Sequence, residues 1–162
     1  NPFNFYIIKK FFSFKKFFKG KHKHIKKFVG LSAANDLYCT FADVLNDTNF
    51  KNIFLKIDID GSEYRFLDDL IANKNRLTGL VIELHDCDMH LKEIENFIKN
   101  FGLKLVHVHA NNFAPIRLDD GLPLVLELTF SKYAATLDTY KLPHILDMPN
   151  NKNDAEINLV IV

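Results

Sequence analysis

Ile53-Phe54-Leu55-Lys56-Ile57-Asp58 is the stretch from which the rest of this sequence can be read. It is an apolar run of strand length, enriched in branched side chains. Such runs mark strands covered on both faces, as in a parallel sheet. Residues 61–73 then predict a helix with Tyr64, Leu67, Leu70 and Ile71 on its inner face. Residues 77–84 repeat the buried-strand pattern. Residues 88–100 repeat the helical one, through Leu91, Ile94, Phe97, Ile98 and Phe101, with Gly102 as its C-terminal stop. Residues 103–108 predict a third strand and 123–130 a fourth, in which Val125, Glu127 and Thr129 alternate. Alternating strands and helices specify an α/β domain with parallel neighbours and right-handed crossovers. Residues 110–122 leave no room for a crossover helix, so the last two strands predict an antiparallel pair.

Upstream the composition changes. The 162-residue chain carries a formal net charge of +1, yet residues 1–30 hold nine Lys and no acid, and the remainder sums to −8. Eight of the sixteen Phe also lie in those thirty positions. Hydrophobic residues at 48% and charged ones at 25% exclude disordered, collagen-like and disulfide-framework classes. The longest apolar runs fall far short of a membrane span.

Residues 1–24 form a basic, Phe/Lys-rich segment. Within it, residues 5–19 predict an amphipathic helix with Ile7, Phe11, Phe14 and Phe18 on one face. Lys9, Ser13, Lys16 and Lys19 lie on or near the other. A basic amphipathic helix can touch an anionic membrane surface, but we read it as a surface helix laying its Phe stripe on the core. Lys19-Gly20-Lys21-His22-Lys23-His24 is basic, yet the acidic remainder would oppose phosphates, so no nucleic-acid partner is expected. Lys pairs interrupt the apolar residues too often for a secretory leader. Cys39 and Cys87 lack ligand spacing and read as buried or incidental thiols, so a reducing, cytoplasmic setting is expected. Residues 25–31 predict a short strand, 32–36 a turn, and Thr40 with Asp43 the cap of a helix ending near Asn46.

Ligands of open α/β sheets bind outside the carboxyl ends of the strands, and the polar residues collect there. Asp58 and Asp60 follow the strand at 53–58; Glu83, His85, Asp86 and Asp88 follow the next; His107, His109, Asn111 and Asn112 follow the third. Asp60 and Glu63 read as a capping box and Asp88 as a helix N-cap. Asp58 ends an apolar strand, where a partly buried carboxylate needs a partner. His85, flanked by Glu83 and Asp86, suits proton transfer. Asp58, His85, His107 and His109 together could build a divalent metal site, but without tight ligand spacing none is assigned. The Asn111-Asn112 pair makes a turn and suits substrate hydroxyls. Asp119-Asp120-Gly121 is a turn. No glycine-rich phosphate cradle occurs.

Leu55-Lys56-Ile57-Asp58-Ile59-Asp60-Gly61-Ser62-Glu63-Tyr64 resembles the LKIDxEGxE signature of the FkbM family of methyltransferases, with Asp60 where the family has Glu. Residues 79–86 resemble the next strand of that family. His107-Val108-His109-Ala110-Asn111-Asn112-Phe113 resembles the HxHxNN segment of a bacterial subgroup linked to surface polysaccharides. Residues 122–130 are similar to its closing strand and 146–151 to its tail. The resemblance implies a partial Rossmann-like methyltransferase sheet, with parallel strands plus a C-terminal antiparallel hairpin strand. It implies O-methylation by S-adenosylmethionine, of a small-molecule or glycan acceptor, with a sugar hydroxyl as the expected target. By the same resemblance, Asp58 and Asp60 lie toward the cofactor, and Asp58 with His85 or His109 carries the catalysis. Glu83, His107, Asn111 and Asn112 would hold the acceptor. The family's glycine-bearing first strand is not found before Ile25, and the chain opens on Asn1-Pro2. Residues 25–162 are therefore expected to be the C-terminal part of such an enzyme, inactive alone, with residues 1–24 a helical insert. A non-catalytic binding module of the same fold is the alternative. A metal-dependent sugar-nucleotide enzyme using Asp58-Ile59-Asp60 ranks last.

Overall fold

In the computed structural model, the described residues are 2–47, 50–134 and 141–159. The chain divides into two compact units, Asn1–Val44 and Leu45–Val162. The parallel pairing of two short strands ties residues 28–40 into the first unit.

The first unit opens with α1 (Pro2–Phe17), which has no acid in its first turn and Lys15 and Lys16 in its last. Its Phe14 and Phe18 rings meet at 4.6 Å, and Phe17 stacks on His22 at 4.7 Å. Within the first unit the expected stripe is uncovered at Ile7, Phe11 and Phe14. Phe12 and Phe17, off the stripe, are exposed too, so the apolar surface runs around the helix instead of along one face. β1 (Phe28–Gly30) and β2 (Tyr38–Thr40) pair in parallel. α2 (Phe41–Asn46) is capped as expected. Thr40 N–H donates to Asp43 Oδ2 at 2.8 Å, and Asp43 N–H donates to Thr40 Oγ1 at 3.1 Å. Cys39 and Cys87 are free, buried thiols.

The second unit is a mixed α/β structure on an open sheet, with no closed barrel among the described residues. Its strands are β3 (Ile53–Ile57), β4 (Leu77–Leu84), β5 (Lys104–Ala110) and β6 (Leu126–Ser131), in the order β3-β4-β6-β5. β3 and β4 are parallel; β6 runs antiparallel to both β4 and β5. β5 is therefore not a neighbour of β4: the last strand inserts between them. The reason lies in the side chains. Leu128 and Phe130 of β6 are almost fully buried, which suits an interior strand, whereas Lys104 and Leu105 of β5 are exposed, which suits an edge.

Leu80, Ile82 and Leu84 of β4 are fully buried, and Phe130 and Leu128 lie opposite the first two. α4 (Leu91–Phe101) packs on this face, with Phe97 and Phe101 edge-on to Phe130 at 5.5 and 5.1 Å. Burying those three rings and their aliphatic neighbours contributes about 2 kcal/mol per side chain. β3 is not covered on both faces as expected: Phe54 is 65% exposed. Its ring lies over Gly79, where a Cβ would approach Phe54 to 2.6 Å.

The helix expected over 61–73 starts later. Gly61 at φ +96° turns the chain, a 3-10 turn spans Glu63–Phe66, and α3 covers only Leu67–Ala72. Asp88 does not cap α4; His90 occupies that position without a side-chain cap to the backbone, its Nδ1 lying 3.5 Å from Glu93 Oε1. Gly102 does end α4, in the left-handed conformation at φ +83°.

Candidate functional site

Side chains directly opposed across neighbouring strands share one face. Glu83 of β4 opposes Glu127 of β6, which opposes His109 of β5. Asp58 follows the Ile57–Ile82 pair by one position, which places it beside Glu83. Asp58, Glu83, Glu127 and His109 thus form a row across the carboxyl ends of β3, β4 and β5, opposite the α4 face. His85 and Asn111, two residues beyond Glu83 and His109, sit above this row. The turns behind it are tightly bent: Asp60 (φ 50°) and Asp86 (φ 49°) are the non-glycine residues with positive φ among the described residues. Strained backbone of this kind gathers at functional sites.

Near β3 and β4, Asn111 Nδ2 donates to Glu83 Oε1 at 2.8 Å, and Lys56 Nζ pairs with Asp58 at 3.1 Å. Burial holds the Glu83 carboxyl above its ordinary value. The Asn111 hydrogen bond offsets part of this, and the nearby charges of Asp58 and Glu127 add to it. His85 Nδ1 lies 3.2 Å from Glu63 Oε1, while Nε2 stands 3.9 Å from Asp60 Oδ1 and 4.0 Å from Glu83 Oε1. Asp58, Glu83 and His85 each offer one donor atom, all within 4.8 Å of one another, so these three could hold a divalent cation. His107 and His109, the other members of the expected set, are engaged elsewhere.

Asp60 does not cap. Its side chain is 99% exposed and faces His85. The capping-box assignment fails because Asp60 takes a left-handed conformation and Ser62, not Asp60, precedes the 3-10 turn. Glu63 instead folds back under the rim, fully buried. It accepts N–H bonds from Ile59 at 3.0 Å and from Gly61 at 3.2 and 3.1 Å. Tyr64 donates its hydroxyl to the His85 carbonyl and stacks on His90 at 3.7 Å.

Near β5 and β6 the site is closed by the segment 141–159. His107 Nε2 lies 2.8 Å from Asp147 Oδ1. His109 sits between Glu127 and Glu156, with Nδ1 and Nε2 at 3.4 and 3.1 Å. Burial alone would lower the His109 pKa; hydrogen bonds to Glu156 and Glu127, with their charges, outweigh it and raise the pKa above its ordinary value. Asn150 Nδ2 donates to Glu127 Oε1 at 2.8 Å. Asn112 is buried and turned to the tail: Nδ2 donates to the carbonyls of Asn151, Asp154 and Ala155, and Oδ1 accepts the Asn151 N–H at 2.8 Å. His107, His109 and Asn112, expected at the acceptor or as base, therefore hold the tail. Asp58, Glu83, His85 and Asn111 remain together at the open rim, with Asp60 beside them. Sequence reasoning assigned no site role to Glu127, Asp147 or Glu156, and only a capping role to Glu63. The available signal was an acid inside an apolar strand, Glu127 in LVLELTF.

No helix among the described residues is long and apolar enough to cross a membrane. Comparison with protein-family models, curated proteins and solved structures found no match to this chain.

Proposed function

We propose that this chain supplies the acceptor side of an S-adenosylmethionine-dependent O-methyltransferase of the FkbM type, acting in the cytoplasm on a sugar hydroxyl of a surface polysaccharide or other glycan. One observation carries the reading: Asp58, Glu83, His85 and Asn111 converge on one rim at the carboxyl ends of adjacent strands. The antiparallel strand within an otherwise parallel-running sheet is the organisation that the Rossmann-like methyltransferase resemblance implies.

The described residues do not supply a whole S-adenosylmethionine site: of the two residues that the resemblance turns toward the cofactor, Asp58 is paired with Lys56 and Asp60 is 99% exposed.

Methyl transfer needs a hydroxyl held in line and relieved of its proton. Asn111 is fixed by Glu83 and keeps its carbonyl oxygen on the Phe113 N–H at 2.9 Å, so it forms a rigid wall of the rim. The Glu83 and Asp58 carboxylates accept hydroxyl hydrogens of a sugar. His85 Nε2 makes no hydrogen bond among the described residues and is placed to take the proton of the reacting hydroxyl.

The test is transfer of a labelled methyl group to glycan acceptors by the full-length protein and its Asp58→Asn variant. Transfer by the wild type, falling about 10²-fold in the variant with the fold intact, is expected. Acceptor binding without transfer would instead support a binding module.

A further inference from the structure

Glu63 has no role in the acceptor rim itself, yet it is the most deeply buried acid of the described residues. Burying a carboxylate is costly unless its oxygens accept hydrogen bonds. Here Oε1 accepts from Ile59 N–H and Gly61 N–H and faces His85 Nδ1, and Oε2 shares the Gly61 N–H. Oε1, the oxygen that faces His85, already accepts two backbone N–H bonds, so it meets the ring as an acceptor. The geometry therefore sets the ring N–H on Nδ1 and leaves the lone pair on Nε2.

The backbone is held as firmly as the ring. Tyr64, next to Glu63 in the chain, donates to the His85 carbonyl, and its own ring is stacked on His90. Two consecutive residues of the turn after β3 thus grip one histidine at the end of β4. That histidine is 21% exposed, and its Nε2 points to the gap between Asp60 and Glu83.

We infer that Glu63 is a positioning residue, which fixes His85 as the Nδ1–H tautomer and presents the Nε2 lone pair to the acceptor hydroxyl. The inference deepens the transfer reading and rests on it for its consequence, but the tautomer is a property of the unliganded chain. Without Glu63 the ring is free to rotate and to exchange tautomers, and a proton acceptor is lost for part of the time.

Long-range proton–nitrogen NMR spectra of the histidine rings test it. In the wild type, His85 should show a protonated Nδ1 and an unprotonated Nε2 when neutral. In Glu63→Gln, whose amide can either donate or accept, the single tautomer should give way to a mixture or reverse. In the full-length enzyme the same variant should lose on the order of 10²-fold in kcat with the acceptor KM nearly unchanged. A protonated Nε2 in wild-type His85 overturns the proposal, and that spectrum needs no variant to fold. An unchanged tautomer in a folded Glu63→Gln overturns it as well and leaves Glu63 a structural residue. Absence of methyl transfer by the wild type would refute the transfer reading and leave the tautomer result standing.

Discussion

Replacing Glu156 with Gln removes one of two carboxylates that hold His109, while keeping the shape of the side chain. The ring is almost fully buried, and the Glu156 contact, at 3.1 Å, is the shorter of the pair. A hydrogen bond to a charged partner contributes about 1.5–3 kcal/mol net, so the substitution should cost about 2 kcal/mol. The cost falls on release of the segment 141–159, because His109, His107 and Asn112 are its anchors, rather than on opening of the sheet. Two kcal/mol is about a 30-fold change in an opening constant. The amide of Asn151, which donates to Asn112 Oδ1, reports that opening by hydrogen exchange. At pH 6 it should exchange about 30-fold faster in Glu156→Gln, with the amides of Leu80 and Ile82 in β4 unchanged. Equal acceleration in β4, or none at Asn151, would refute the latch. The pH dependence follows from the sign of the shift. The His109 pKa is raised in the folded chain above its ordinary 6.5. Its stabilisation is therefore complete below that value and is lost as pH rises through the folded pKa. Tail protection, corrected for base catalysis of exchange, should fall over that window in the wild type and change less in Glu156→Gln.

Two further outcomes test the packing. Burial pushes the Cys87 thiol up to about 11, so it should resist thiol reagents at neutral pH and react only on unfolding; ready labelling of the native protein would contradict this. Gly79→Ala should destabilise the sheet by about 1–3 kcal/mol in chemical denaturation, since its Cβ would meet the Phe54 ring. Adding Phe54→Ala should restore part of that loss, and a double variant no more stable than Gly79→Ala would contradict the contact.

The second unit was largely legible because its strands are apolar runs or, at 123–130, alternate with period two, and α4 carries a period-3.6 pattern. The bounds of β4 are those expected, and Gly102 ends α4 as its position indicated. Strand order was not legible, since the burial that puts β6 inside and β5 outside depends on packing partners that lie far away in sequence. The rim was legible at Asp58, Glu83, His85 and Asn111, which follow or end their strands. Glu63 was not, because a D-x-x-E spacing describes a cap equally well, and only the left-handed Asp60 shows that the chain turns the other way. The contacts of Asn112, His107 and His109 were not legible for a similar reason. Their partners Asp147, Asn151 and Glu156 come from a tail with no periodicity to announce that it folds back.

The central claim is that the rim aligns and deprotonates a sugar hydroxyl for methyl transfer. Side-by-side rates of labelled methyl transfer by the full-length wild type and its His85→Gln variant test it most directly. The account predicts transfer to a glycan by the wild type and a kcat lower by roughly 10²–10⁴-fold in the variant, with acceptor KM little changed. Equal rates in the two proteins, or no transfer to any sugar hydroxyl by the wild type, would contradict it.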